Sequence, residues 1–349
     1  MSDRSEPGAP PGVDVGNVTT WLAAHVDTLT PPLDAELITG GHSNLTFRLS
    51  DADGRRWVLR RPPLKQVLAT AHDMGREARI LEALAPTDVP VPPVVGLCRD
   101  DAVNGAPFYV MDFVDGTVVR NQADAAPLDA SVRRRAGESL VDVLAAIHAV
   151  DIDAVGLGDF AKREDYIARQ LKRWQGQFEK STTRDVPIMR QVYERLMATI
   201  PPQHEATIVH ADYRLDNCMI DAAGDVIAVL DWEICTLGDP LADVGTLLVY
   251  WGDPDDPAMS LLPAPTLAPG FPTPAEVLER YAAASGRDVS GVDYFVAFAM
   301  WRLACIIEGV YSRYVGGAMG DHDPSSFDFF GQQVILLAES AATRIDGLG

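Results

Sequence analysis

The chain is short of cysteine and of positive charge. Cys98, Cys218, Cys235 and Cys305 are its four cysteines, and no two form a C-x-x-C pair. That spacing excludes a zinc ribbon and a disulfide scaffold, and it predicts a reduced, cytoplasmic protein. Lysine and arginine number 29 against 50 Asp plus Glu, a formal net charge of -21. Such a balance argues against nucleic acid and anionic membrane surfaces as partners. It would suit a cationic ligand, although acidic surfaces also serve plain solubility. No run approaches the roughly 20 consecutive apolar residues a membrane helix needs, and the polar start carries no signal-peptide pattern. Internal repeats are lacking as well.

What is present is length and apolar content. A chain of 349 residues that is 47% hydrophobic has material for two packed lobes. Residues 1–16, rich in Pro, Gly and charge, predict a disordered tail. Residues 17–114 read as a first lobe. Val18–Leu29 has helical spacing, stopped by Pro31-Pro32. Ala35–Gly40, Leu45–Leu49 and Trp57–Arg60 read as strands, the last two joined by a turn at Asp51-Ala52-Asp53-Gly54. Helical spacing over Ala69–Leu84 and strands at Val94–Cys98 and Phe108–Val114 complete it.

Residues 115–349 read as a mostly helical second lobe, with helices over 131–150, 166–180, 188–200, 240–250, 274–284, 292–314 and 327–345. The stretch 253–272 is dense in proline and predicts a loop.

The most informative segment is His210-Ala211-Asp212-Tyr213-Arg214-Leu215-Asp216-Asn217, followed by Asp231-Trp232-Glu233. Between them, Cys218-Met219-Ile220 and Val226–Leu230 flank Asp221-Ala222-Ala223-Gly224-Asp225, the pattern of a hairpin. A hairpin would bring Asn217 and Asp231 to one end, with Asp212 on the loop before it. Carboxylate and amide oxygens gathered in this way suit Mg²⁺, which shares its shell with phosphates. A further carboxylate beside the metal can orient a hydroxyl and accept its proton.

This arrangement resembles the H-x-D-x-x-x-x-N loop and metal-binding Asp of the protein-kinase-like superfamily. Gly238-Asp239-Pro240-Leu241-Ala242-Asp243, directly after the metal Asp, is similar to the aminoglycoside phosphotransferase and choline kinase branch. Neither an activation loop nor an Ala-Pro-Glu signature is present. The resemblance runs from about Val18 onward. It implies an α+β fold: a bilobal protein-kinase-like architecture with a small five-stranded antiparallel β lobe carrying one main helix, plus a large, mostly helical lobe.

It also implies ATP or GTP and Mg²⁺ as cofactors, with Asp212 as the base and Asn217 and Asp231 as metal ligands. Gly41, Ser43 and Asn44 stand where a glycine-rich loop would approach phosphate, although G-x-G-x-x-G is absent. Val58 and Arg60 alternate onto one strand face, at the positions of the adenine roof and the phosphate-pairing lysine, here an arginine. Glu77 would hold Arg60, with Arg61 as the fallback cation, and Met111, Asp112, Phe113 and Val114 would form the adenine hinge. His210 would brace the loop, Asp239 would cap a helix before Pro240, and Asp243 would stabilise the catalytic loop.

On the acceptor side, Arg214, Tyr250, Trp251, Arg302 and Glu308 are the candidate substrate residues. The strings Gly41-His42-Ser43-Asn44, Val58-Leu59-Arg60-Arg61-Pro62-Pro63, Phe108-Tyr109-Val110-Met111 and Arg302-Leu303-Ala304 resemble kinase-like domains fused to, or encoded beside, certain acyl-CoA dehydrogenases. That likeness implies a small hydroxylated acceptor: a hydroxyacyl-CoA or a related hydroxy acid. Two other readings stand beside it. One is an aminoglycoside O-phosphotransferase, and the other a nucleotide-binding pseudokinase with a regulatory role.

Overall fold

A computed structural model of the chain describes residues 10–38, 44–64, 73–252, 264–315 and 327–348. The chain divides into two compact units. The first runs to Gly116 and takes in Ile227–Glu233; the second comprises Thr117–Val226 and everything from Ile234.

In the first unit, α1 (Val15–Ala23) starts at Asp14, whose carboxylate accepts the Asn17 N–H. Val13, Val18 and Leu22 are buried in the unit's core. Residues 13–16, which composition assigned to the tail, therefore belong to the folded unit. The helix also ends earlier than its apolar spacing suggested: the Ala24 N–H returns to Trp21 O and the His25 N–H to Leu22 O, both tight three-residue closures.

β1 (Asp34–Leu37), β2 (Leu45–Ser50), β3 (Arg56–Arg61), β4 (Val94–Cys98) and β5 (Phe108–Asp112) form one antiparallel sheet in the order β1-β2-β3-β5-β4. Period-2 alternation sorts its residues. Phe47, Leu59 and Val110 share the face that meets α1, all with no exposure. Val58, Arg60, Tyr109 and Met111 take the other face, paired Val58 with Met111 and Arg60 with Tyr109. On that second face lies α2 (Met74–Leu84), N-capped by Asp73. A short α3 (Asp101–Asn104), with no signal in the sequence, joins β4 to β5.

The second unit holds α4 (Gln122–Ala125), α5 (Ala130–Ala149), α6 (Tyr166–Ser181) and α7 (Pro187–Ala198), followed by short strands. β6 (Thr207–Val209), missed in the sequence, pairs antiparallel with a late strand, Thr236–Gly238. Between them in the chain come β7 (Cys218–Ile220) and β8 (Val226–Val229), the latter belonging to the first unit from Ile227 on, and the Thr236–Gly238 strand is β9. The turn after β7 closes through Asp221 N–H to Asp225 O and Gly224 N–H to Asp221 O. Gly224 is required there: its φ is +92°, and a Cβ would stand 2.5 Å from Val132 O.

The remaining helices are α8 (Leu241–Trp251), α9 (Pro274–Ser285), α10 (Val292–Val315) and α11 (Asp328–Asp346). α10 lies between α8 and α11, approaching α8 so closely that a Cβ on Gly245 would sit 2.6 Å from the Phe295 backbone. Among the described residues α10 is long and apolar enough to cross a membrane, a run the sequence reading overlooked. The burial of 72% of its most apolar window makes it a core helix. Within the proline-rich stretch, residues 253–263 lie outside the described residues, and Pro265–Leu267 forms a 3₁₀ turn.

Candidate active site

The chemistry-bearing residues fall into two groups, one in each unit. In the first unit the sheet alternation that turns Val58 and Arg60 away from the α1 core places Arg60 beside Glu77 of α2. Arg60 Nη1 lies 2.7 Å from Glu77 Oε1, and Arg60 Nη2 donates to Asp231 Oδ1 at 3.0 Å. Glu77 is 1% exposed. Burial works against the Arg60 charge, but Glu77, Tyr109 and Asp231 outweigh it and hold the guanidinium firmly protonated. The Glu77 carboxyl is pushed up by burial, an effect that Arg60 offsets in part. Two acids to one base give this group a formal charge of −1.

Asp231 stands just past the end of β8 with φ +64°, a left-handed conformation that Asp tolerates better than most residues. The strand end is fixed by Val229 N–H to Pro90 O at 2.8 Å and by the Trp232 indole N–H to Val229 O at 3.0 Å. Arg61, the fallback cation, faces elsewhere and donates to the carbonyls of Gly12 and Asn104. Val58 and Met111 are both buried on the Arg60 face.

At the expected hinge, the amides of Asp112 and Phe113 are already engaged, by Pro93 O and Arg56 O. Phe113 carries the Arg56 guanidinium 4.4 Å above its ring, and Val114 is half-buried. Asn44 donates to Glu233 Oε2 at 3.0 Å. Gly41 and Ser43, the other two loop candidates, lie outside the described residues. The sequence reading gave no role to Tyr109 or Glu233. Tyr109 is wholly buried, and burial, then the Glu77 charge, raises its phenol well above the usual range. Its place opposite Arg60 in the β5 alternation was the available signal.

In the second unit the loop after β6 is tied from several sides. Asn217 Nδ2 donates to the Asp212 carbonyl and to Asp212 Oδ2, both at 2.8 Å. A 3₁₀ turn over Leu215–Asn217 brings that amide back. Arg214 lies 2.9 Å from Asp216 and 3.4 Å from Asp212 Oδ1, its guanidinium 4.5 Å above the Tyr250 ring. Burial, then Asp212, raises the Tyr250 phenol to about 12, and burial raises the Asp216 carboxyl.

Tyr213 is buried and donates its hydroxyl to Leu140 O at 2.8 Å. The fully buried His210 accepts the Asp212 N–H at Nδ1 over 3.2 Å, which is the bracing role expected of it. Asp243 accepts the N–H groups of His210 and Ala211 at 2.7 and 2.8 Å. Ala211 has φ +69°, a conformation costing an L-residue about 1–2 kcal/mol. Asp239 accepts the Leu241 N–H, and α8 begins at Leu241, one residue later than expected.

Three acceptor-side candidates make structural contacts. Glu308 has no exposure; Arg184 grips both its oxygens at 2.6–3.1 Å and Thr182 donates at 2.9 Å. Its partner lies 124 residues away, so periodicity within α10 could not reveal it. Trp251 is 2% exposed and donates its indole N–H to Pro272 O. Arg302 is 7% exposed, packs 5.5 Å from the Trp174 ring and donates to the Ala211 carbonyl. Arg214 and Tyr250 line one small cleft together with Asp216, Leu247, Trp251 and Thr266, and Tyr250 and Arg302 line another.

Residues 34–294 match the model of the APH phosphotransferase enzyme family. Acyl-CoA dehydrogenase family member 10 of Mus musculus is 36% identical over 319 residues, covering 90% of this chain and 30% of that protein. Acyl-CoA dehydrogenase family member 11 of Homo sapiens is 32% identical over 335 residues, covering 94% of this chain and 42% of that protein. The chain thus spans 30–42% of the length of these curated relatives. A Ralstonia eutropha protein crystallised as a candidate aminoglycoside phosphotransferase superposes with TM-score 0.80 at 33% identity, over 95% of this chain and 98% of that one. Aminoglycoside phosphotransferase APH(4)-Ia, bound to AMP-PNP and hygromycin B, gives TM-score 0.61 at 18% identity, over 93% and 99%. The fold is the protein-kinase-like α+β fold of these phosphotransferases.

Proposed function

The chain belongs to the APH phosphotransferase enzyme family and is a small-molecule kinase, and from that premise we propose that it transfers the γ-phosphate of ATP to a hydroxyl of a small hydroxyacyl compound, with Asp212 as the base. The observation that carries this reading is the hold on Asp212. Its backbone and one carboxylate oxygen are fixed by Asn217, His210 and the Asp243-bound loop, while its second oxygen faces Arg214. A carboxylate so oriented can align an acceptor hydroxyl and take its proton as the O–P bond forms.

The residues present fit a hard divalent cation. Asp231 belongs to a group that carries excess negative charge, and Asn217 spends its N–H₂ on Asp212, so its Oδ1 is the atom left for a metal. Mg²⁺ when bound supplies neutralisation of phosphate charge. Arg60 contributes a second positive group, fixed by Glu77. Val58, Met111 and the stretch 112–114 would receive the nucleotide base, and GTP would serve the same phosphate contacts. The four free, buried cysteines suit a reducing, cytoplasmic setting.

Two observations support a hydroxyacyl-CoA or related hydroxy acid as the acceptor. The curated relatives at 30% identity or more include acyl-CoA dehydrogenase family members. Arg214 also places a guanidinium 3.4 Å from the base, where an anionic group of the acceptor would find it. The net charge of -21 favours the aminoglycoside reading instead. Arg60 bears on the pseudokinase reading: it keeps the glutamate pairing a catalytic cation needs, which weighs for turnover.

The test is phosphoryl transfer from Mg–ATP to a panel of hydroxyacyl-CoAs, free hydroxy acids and aminoglycosides. Transfer to the hydroxyacyl compounds is expected. Transfer to aminoglycosides alone would establish the second reading, and ATP binding with no transfer to any member would establish the third.

A further inference from the structure

We infer that Arg302 is a positioning residue for phosphoryl transfer: it holds the main chain at Ala211 in the conformation that aims Asp212. The inference rests on the reading of Asp212 as the base.

Ala211 is a residue with a Cβ in the left-handed region, φ +69°, so its neighbours must keep it there. Both sides of it are gripped. Asp243 Oδ1 takes the Ala211 N–H at 2.8 Å, and Asp243 Oδ2 takes the His210 N–H at 2.7 Å. On the far side, Arg302 Nη2 donates to the Ala211 carbonyl. That carbonyl belongs to the same planar peptide as the Asp212 N–H, which donates to His210 Nδ1 at 3.2 Å. The plane entering Asp212 is therefore fixed at its oxygen by Arg302 and at its nitrogen by His210. Two fixed ends set where the Asp212 Cα, and hence its carboxylate, points.

Arg302 is built for such a task. It sits inside α10 at 7% exposure, with its guanidinium 5.5 Å from the Trp174 ring of α6. A space-filling residue in a core helix needs no charge. A buried arginine spent on a backbone carbonyl is explained if that carbonyl must not rotate. Asp243, itself without exposure, supplies the opposite charge on the other side of the same residue.

The experiment compares Arg302→Met and Ala211→Gly, singly and together, on the full chain. Two readouts are taken: amide hydrogen exchange of the peptide spanning Val209–Arg214, and steady-state Mg–ATP hydrolysis with water as the acceptor. Arg302→Met should speed exchange of that peptide and lower kcat by about 100-fold, the scale of an ångström-sized misplacement, with KM for ATP within about twofold. Glycine adopts the left-handed conformation unaided, so Ala211→Gly should recover most of both losses in the Arg302→Met background. Equal losses in both backgrounds, unchanged exchange, or an effect confined to KM would overturn the inference. Exchange that responds as stated in a chain that transfers phosphate neither to water nor to any member of the acceptor panel would uphold the positioning and overturn the proposed function instead. Should Arg302→Met fail to fold, Arg302→Lys with and without Ala211→Gly gives the same comparison, because lysine keeps the charge but loses the planar fork.

Discussion

Arg60 and Glu77 stand 2.7 Å apart on β3 and α2, and the second amino group of Arg60 reaches Asp231 at 3.0 Å. One guanidinium thus bridges a buried structural acid and the half-exposed acid assigned to the metal. A lysine, a single point charge, could satisfy one of these partners well but not both in this geometry. The arginine at this position therefore preserves the cation and adds a hold on Asp231.

Arg60→Met would leave Glu77 buried without its cation. Denaturant unfolding is expected to show a loss of about 3–5 kcal/mol, and ATP titration a loss of affinity. Arg60→Lys should retain most of the stability but bind ATP about tenfold more weakly, as the loss of one charge-assisted hydrogen bond would give. Wild-type stability in Arg60→Met would contradict the pairing.

Arg184→Met tests the reassignment of Glu308. The exposure of Arg184 moderates the effect, so a loss of about 3 kcal/mol is expected in chemical denaturation, with kcat per folded molecule unchanged. A normal unfolding midpoint coupled to a raised acceptor KM would return Glu308 to the substrate site.

Arg214→Met addresses acceptor choice. With an anionic hydroxy acid, KM should rise about tenfold or more, since a charge-assisted hydrogen bond is worth about 1.5–3 kcal/mol. A neutral alcohol of similar size should show no such change. Equal effects on the two acceptors would remove Arg214 from recognition.

Asp239 gives the stability a pH dependence of known sign. Burial raises its carboxyl from the usual aspartate range to about 6, so the native state binds a proton more tightly than the unfolded chain does. Its contribution is fully favourable below the unfolded value and is lost as pH rises through about 6. The expected loss is on the order of 2–3 kcal/mol. Asp239→Asn keeps an oxygen to accept the Leu241 N–H while removing the titration. Its thermal midpoint should therefore fall less than that of the wild type between pH 4.5 and 7.5. Parallel curves for the two proteins would show that the group does not titrate in this range.

Much of the fold was legible because alternation and helical spacing are local. The strand pattern over Trp57–Arg60 placed Val58 and Arg60 on one face, and resemblance then named Glu77 as the partner; the structure pairs Arg60 with Glu77 and turns Arg61 away. The loop 210–217 was legible as a motif, and its hydrogen bonds account for the residues His210, Asn217 and Asp243. What escaped notice depended on distant partners. A glutamate in an apolar helix looks available until Arg184 is seen on it, and Arg302 looks like a substrate cation until its carbonyl partner is known. β6 was missed because three residues are too few for a period, and its pairing partner lies beyond the whole catalytic loop.

The most direct test of the account is Asp212→Asn, assayed for phosphoryl transfer from Mg–ATP to a hydroxyacyl-CoA alongside ATP binding. Removal of a general base is expected to lower kcat by about 10²–10⁴-fold with ATP affinity essentially retained. Turnover within a few-fold of wild type would contradict the role of Asp212 and, with it, the proposed mechanism.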